Sequence, residues 1–476
     1  MKRIAILGGG FAGVTAAWEL ARLTSAGADL HIDLFEASDR LGGTVMTTRE
    51  GGYVIEEGPD GWVTEKPWAA QLVRDLGLES ELLPCSEANR RTFVLVGSTP
   101  QSPGTLRAMP EGMRMMVPSD LAAIDACDLF SAEAKQAYHH ELHSAEHLRA
   151  TAPAQDESVA SFVRRHFGDE VLNKIGAPLL SGVLGGDVQT LSVRSVMAPF
   201  VAMEREHGSL IAGLQARAAA QGNKPAPAIF TSLRSGVGTL VDRMVAAIPE
   251  AWLHRNTSVV SLQPEGDGWR LQCSAGGAGQ PLASAERYDA VLLATPAHVT
   301  SRLLASIDPR AAALTDMEAS SAVVAAFGLC DGASLNLPQG FGFLVPEGSS
   351  SRLLACTFVD QKYAHRVPPG GRLLRAFFGG AAAERLMRCS NDEVAAIARM
   401  ELAHILGPLP EPEIVKVRRL PRSLPQYSVG HLERMDELAQ RMEAWPGLSL
   451  LGNAYRGVGL PDLARDARAA AQQLLR

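Results

Sequence analysis

The hydrophobic pattern opens with Arg3-Ile-Ala-Ile-Leu7, a short apolar run that stops at Gly8-Gly9-Gly10. An Ala-rich stretch of helical period follows through Arg22, and then a second strand-like run, His31-Ile-Asp-Leu-Phe-Glu36. Strand, glycine turn, helix and strand in that order predict a βαβ unit. Two distant segments read as further strands of the same sheet: Arg287–Pro296, an apolar run ending in a Thr-Pro turn, and Gly447–Gly452. The second leads through Asn453-Ala-Tyr-Arg-Gly-Val-Gly-Leu-Pro461 into a helix predicted from about Asp462 to Leu475. The nucleotide-binding part is therefore expected to be discontinuous, with the rest of the chain inserted into it. From about residue 106 to 180 the pattern is mostly helical and amphipathic. No run reaches the roughly 18 uninterrupted apolar residues that a membrane span needs.

The glycines of the first turn have separable uses. Gly8 permits a tight turn, Gly10 lets a pyrophosphate approach the backbone where Phe11 and Ala12 begin the helix, and Gly13 lets that helix pack on the strand. Glu36, followed by Ala37, ends the second strand 23 positions after Gly13, where a carboxylate accepts ribose hydroxyls. Arg40-Leu41-Gly42-Gly43-Thr44 then adds an arginine and a glycine pair, suited to a second phosphate contact and close backbone approach. Gly58-Pro59-Asp60-Gly61 brings another turn back towards the same crevice. A nicotinamide cofactor needs neither addition, so FAD is favoured. In the last turn Gly457 and Gly459 allow Val458, Gly459 and Leu460 to offer main-chain N–H groups, and Pro461 and Asp462 suit a helix start. The positive end of that helix would face the N1–C2 carbonyl edge of an isoalloxazine, where negative charge collects on reduction.

Composition bounds the remainder. The 476 residues, 46% hydrophobic and 20% charged, predict at least two domains, and a net charge of -7 argues against nucleic acid as a general partner. The six cysteines lie far apart without a Cys-x-x-Cys pair, and read as reduced and mostly buried. The apolar run after Lys2-Arg3 is too short for a signal segment, so a cytoplasmic chain is expected, one able to lie on the inner face of the cell membrane. Met109, Met113, Met115 and Met116 read as core filler, with greasy ligands or lipid as the alternative. His139, His143 and His147 recur at i, i+4 on a predicted helix, but no second ligand segment accompanies them and no metal is assigned.

Taken together, the glycine turn, Glu36-x-x-x-Arg40-x-Gly42-Gly43, Glu57-Gly58-Pro59 and Gly452-Asn-Ala-Tyr-Arg-Gly-Val-Gly459 resemble the flavin amine oxidase and protoporphyrinogen oxidase superfamily. The interior segments Leu180–Ser192, Met203–Leu210, Gly340–Pro346 and Leu424–Leu432 are similar to those of the oxygen-dependent protoporphyrinogen oxidases. The resemblance implies α/β and α+β architecture: a Rossmann-like, discontinuous FAD-binding domain of the p-hydroxybenzoate hydroxylase type at 1–80, 229–297 and 441–476, a helical membrane-docking insert at 81–190, and a mixed-sheet substrate domain at 191–228 and 298–440. It implies FAD-dependent oxidation of protoporphyrinogen IX to protoporphyrin IX with dioxygen as acceptor and hydrogen peroxide as by-product. A coproporphyrinogen III oxidase or another flavin amine oxidase is the alternative. A homodimer stays open.

Carried over residue by residue, the resemblance places Arg91 on a substrate propionate, with Arg90 a rival, Leu344 against the macrocycle, Tyr363 where a sandwiching phenylalanine is common, and the Gly185-Gly186 turn at the pyrrole N–H groups. Val259 falls on a strand whose backbone meets adenine. The chain departs from the family at Asp60-Gly61, where Asn-Ser is frequent, at Leu420, where an aromatic is common near the ring, and at Tyr363, whose hydroxyl needs a partner in an apolar slot. No acid, base or nucleophile is assigned a catalytic role, since aromatic gain drives the reaction and positioning supplies the rest.

Overall fold

The computed structural model describes residues 1–222, 227–275, 281–330 and 335–475. Five short strands form an all-parallel sheet in the order Leu253–His254, Leu30–Phe35, Lys2–Leu7, Ala290–Leu293 and Leu448–Leu450. Parallel strands are covered on both faces, and Lys2–Leu7 shows it: Ile4 and Ile6 enter one apolar core, Ala5 and Leu7 another. The central strand has its sequence neighbour on one side and a strand from far along the chain on the other. That reversal opens a crevice beyond the carboxyl ends of the strands. The first helix, Phe11–Ser25, and the last, Leu460–Gln473, pack on each other. Fully buried Glu19 ties them, accepting from Arg22 at 2.7 Å, Arg468 at 3.1 Å and Gln472 at 2.9 Å.

A second, seven-stranded sheet runs Ile414–Pro425, Ala319–Leu329, Arg372–Phe378, Ala355–Phe358, Gly342–Leu344, Thr92–Val96 and Thr105–Ala108. It is mixed: Thr92–Val96 pairs parallel with Gly342–Leu344 and the other pairs are antiparallel. Two of its strands fall inside the stretch read as helical insert, because Thr92-Phe-Val-Leu-Val96 is a β-branched, apolar run that the sheet can bury. Conversely, the helices Ala198–His207 and Leu210–Gln221, read as substrate domain, share one core with the helices between Leu121 and Leu184. Met116 is fully buried in that core, and Met109, Met113 and Met115 pack at its edge. The histidine series is broken, since the chain turns at Ser144 between Ala132–His143 and Ala145–Thr151, and His139 pairs with Asp125 at 2.9 Å. Cys85, Cys273 and Cys356 are buried, half of the six rather than most. Among the described residues no helix is long and apolar enough to cross a membrane.

The helical core contains one charged knot. Fully buried His166 bridges Glu141 through Nδ1 at 3.0 Å and Glu204 through Nε2 at 3.1 Å. Glu141 also accepts from the Ser209 hydroxyl and the Leu210 N–H, both at 2.6 Å, and Arg165 holds Glu204 and Glu157. Burial disfavours the imidazolium, but the two carboxylates outweigh it and raise the His166 pKa above 6.5. The knot's contribution is therefore complete below the ordinary imidazole pKa and lost as pH rises through the raised one. Thermal unfolding is expected to show a lower melting temperature at pH 9 than at pH 6. His166→Gln is expected to lose about 3 kcal/mol at pH 6 and to flatten that dependence; a pH profile identical to wild type would sink the assignment.

Candidate active site

Three glycine-bearing segments meet at the carboxyl end of the central strand. Gly8 adopts φ +105° to turn the chain, and a Cβ on Gly13 would lie 1.9 Å from the Gly8 carbonyl oxygen, so helix and strand touch backbone to backbone. The loop at Gly42-Gly43 runs alongside: Gly42 N–H donates to the Gly9 carbonyl at 2.7 Å. Gly58 closes the set, since a Cβ there would stand 1.9 Å from the Thr44 carbonyl oxygen. A Cβ at Gly10, by contrast, would meet nothing within 4 Å. The helix Phe11–Ser25 begins there with no side-chain cap and no acidic residue in its first turn, leaving N–H groups of its positive end for an anion.

Glu36 is half-buried beside this opening and accepts from Gly9 N–H at 2.7 Å and from the Ser38 N–H at 2.9 Å. The strand Thr257–Glu265, which carries half-buried Val259, is tied to Glu36 by Thr257 N–H donating to the Glu36 carbonyl at 2.8 Å. The Arg40 guanidinium donates to the carbonyls of Leu41 and Val45, both at 2.9 Å, and to that of Gly43, so it shapes the glycine loop. Burial and the neighbouring Arg418 lower its pKa. Arg418 also reaches the Gly43 carbonyl, at 3.5 Å, from the strand that carries half-buried Leu420.

The C-terminal turn is clamped from outside. Tyr427 donates its hydroxyl to the Asn453 carbonyl at 2.7 Å and accepts from Gly457 N–H at 3.0 Å, while its ring stacks on His431 at 3.9 Å. His431 in turn contacts the Tyr455 carbonyl through Nε2 at 3.1 Å. Gly457 sits at φ +147°, and a Cβ there would come within 2.6 Å of the Asp462 carboxyl group. The following helix starts after Gly459 with no side-chain cap; its acidic first-turn residue, Asp462, is buried and neutralised by Lys66 at 2.6 Å. The positive helix end thus stays available to a ligand edge.

Under the Gly58–Gly61 turn lies a group that sequence reasoning missed. Asp60 pairs with Lys362 at 2.8 Å and Arg375 at 3.5 Å; Arg366 pairs with Glu56 at 3.2 Å, and Arg375 also donates to the Gly58 carbonyl at 2.5 Å. Burial opposes ionisation of Asp60, yet Lys362 and Arg375 hold its pKa at about 2. Burial pushes Glu56 up despite Arg366. The one signal in the chain is Arg375, a charge interrupting the apolar run Leu373–Phe378.

The four substrate candidates lie on or beside elements that adjoin the strand Gly342–Leu344. Arg91 immediately precedes Thr92–Val96, whose parallel partner Gly342–Leu344 ends in buried Leu344. The helix Ala177–Leu184, closed by Gly185 at φ +67°, lies against that partner strand. Tyr363 is 1% exposed, among Leu83, Cys85, Phe230 and Phe341, with its hydroxyl 2.6 Å from where a Gly61 Cβ would be. Among the described residues its hydroxyl has no hydrogen-bond partner, and burial first of all drives its pKa far up. Arg91 is half-exposed and paired with exposed Glu111 at 2.8 Å; Arg90 pairs with Glu87 at 3.6 Å.

A glycine cradle, an uncapped helix start and a half-buried glutamate at the switch point of a parallel sheet define a dinucleotide-binding fold. Residues 11–475 match the family described as flavin containing amine oxidoreductase, and the chain belongs to that family. It is similar to the coproporphyrinogen III oxidase of Bacillus subtilis (strain 168), 32% identical over 486 residues, covering 100% of this chain and 98% of the relative. It is 28% identical over 482 residues to protoporphyrinogen oxidase 1, chloroplastic, of Arabidopsis thaliana, covering 96% of this chain and 84% of the relative. A crystal structure of a candidate protoporphyrinogen oxidase from Exiguobacterium sp. 255-15 matches with TM-score 0.83 at 30% identity, covering 99% of this chain and 98% of the other. The protein is an FAD-dependent oxidoreductase of the porphyrinogen-oxidase type.

The cradle generates a direct test. Gly58→Ala forces the Thr44 loop to move, and the overpacking, about 1–3 kcal/mol, is expected to cut bound FAD to roughly a tenth. The ratio of flavin to protein absorbance after purification measures it; full occupancy would show that the loop gives way freely.

Proposed function

We propose that the protein oxidises coproporphyrinogen III to coproporphyrin III in haem biosynthesis, with dioxygen as final acceptor. Protoporphyrinogen IX, the main reading of the interior motifs, gives way to this alternative. The observation that carries the change is kinship along the whole chain with a coproporphyrinogen III oxidase at 32% identity, against 28% for the chloroplastic protoporphyrinogen enzyme. When bound, FAD supplies the acceptor for two electrons in each of three oxidations and returns them to dioxygen. In each oxidation a hydride leaves a bridging carbon and a proton leaves a pyrrole nitrogen; dioxygen finally receives both electrons and both protons as hydrogen peroxide.

In this reading the chain binds and orients. Phe11, Ala12 and Gly13 hold the pyrophosphate, Glu36 the ribose, Val259 the adenine edge, and Val458, Gly459 and Leu460 the flavin edge, while Gly43, Thr44 and the Gly58–Gly61 turn line the cofactor's length. Leu344 and the Gly185 turn bound a flat apolar slot. Arg91 anchors a propionate at its rim. Its present pair with Glu111, a side chain 79% exposed, is worth at most about 1 kcal/mol and is readily exchanged for a substrate carboxylate.

Anaerobic titration with each porphyrinogen, watched through bleaching of the flavin band, tests the substrate. Coproporphyrinogen III is expected to be preferred in kcat/KM, and preference for protoporphyrinogen IX would reverse the proposal. Arg91→Ala is expected to raise KM for coproporphyrinogen III about ten-fold with little change in kcat, the loss of one charge-assisted pair. An unchanged KM would move the anchor to Arg90 or elsewhere.

A further inference from the structure

The knot under the Gly58–Gly61 turn brings five ionisable side chains together: Glu56, Asp60, Lys362, Arg366 and Arg375. Three cations against two carboxylates leave one positive charge in excess. Arg366 and Arg375 are almost wholly buried, and Lys362 keeps only 12% of its side chain exposed. Their walls are aromatic: Lys362 lies 4.9 Å from the Phe230 ring centre and 5.1 Å from that of Tyr363, Arg366 lies 5.5 Å from Tyr363, and Arg375 lies 5.0 Å from Phe377. Little solvent screens the excess. Two further partners of Glu56, the Thr47 hydroxyl at 2.5 Å and Val237 N–H at 2.8 Å, are neutral donors and leave the charge count unchanged.

Folding does not call for such a group, because buried ion pairs are commonly no better than apolar packing of similar volume. The group also retains unpartnered polar atoms: among the described residues the Tyr363 hydroxyl and the Nε atoms of Arg366 and Arg375 have no hydrogen-bond partner. We propose that the Lys362–Asp60–Arg375 group is an electrostatic regulator of flavin reduction, its excess positive charge favouring the cofactor once it has taken up electrons. The inference rests on the reading above that the Gly58–Gly61 turn meets the cofactor. Lys362 is its adjustable member, the one cation of the three that is not almost wholly buried. It acts through charge, without touching the substrate.

A charge cycle separates this role from a structural one. With FAD bound, wild type carries one excess positive charge, Lys362→Met none, Asp60→Asn two and the double variant one. A unit charge acting through an effective dielectric of about 20 shifts such an equilibrium on the order of ten-fold. Lys362→Met is therefore expected to lower the two-electron reduction equilibrium about ten-fold, about 30 mV in midpoint potential, with Asp60→Asn raising it and the double variant returning near wild type. Dye-coupled reductive titration reads the potential, and the dissociation constant of sulfite on the oxidised flavin should order the proteins inversely. Potentials that fail to follow charge, or two single variants that shift the same way, overturn the inference. Lys362→Arg keeps the charge and is expected to keep the potential, which covers a Lys362→Met protein that does not fold. A wild-type chain that refuses FAD would overturn the cofactor reading instead.

Discussion

The site depends on backbone touching backbone. Gly13 on Gly8 and Gly58 on Thr44 are contacts that a single Cβ would prevent, and Gly42 N–H donates to the Gly9 carbonyl, so three remote turns come into contact. Once they are stacked, the start of the first helix, Glu36 and the Gly58–Gly61 turn come to one end of the parallel sheet. Arg40 belongs to the same device, because its guanidinium collects the carbonyls that the tight loop points inward.

Around this apolar and glycine-lined crevice the protein keeps two buried charged knots with different consequences. The Glu141–His166–Glu204 knot lies in the helical core and joins helices to one another. The Asp60–Lys362–Arg375 knot lies at the Gly58–Gly61 turn and ties that turn to the mixed sheet, in which Arg375 sits. Low dielectric makes each an all-or-nothing arrangement: a single deletion leaves a buried charge without its partner, whereas removal of a matched pair does not.

The clamp on the C-terminal turn shows a third way of setting geometry. Tyr427 uses both capacities of one hydroxyl, donor to Asn453 and acceptor from Gly457, to hold the backbone that leads into the last helix. The same helix is fixed at its side by Glu19, so its start is placed from two directions.

What the sequence determined by itself is what neighbours along the chain decide. The βαβ unit, the turn at Gly8, the close packing at Gly13 and the start of the last helix follow from hydrophobic period, glycine freedom and helix-start chemistry, all local effects. The added glycine turns extended this to FAD, and family resemblance extended it to a porphyrinogen without separating a substrate of two carboxylates from one of four. Only the tertiary structure decided where Thr92–Val96 belongs and that Asp60 is met by Lys362 and Arg375. Those partners lie hundreds of positions away, and a charge's worth depends on what surrounds it in space, which no local pattern records.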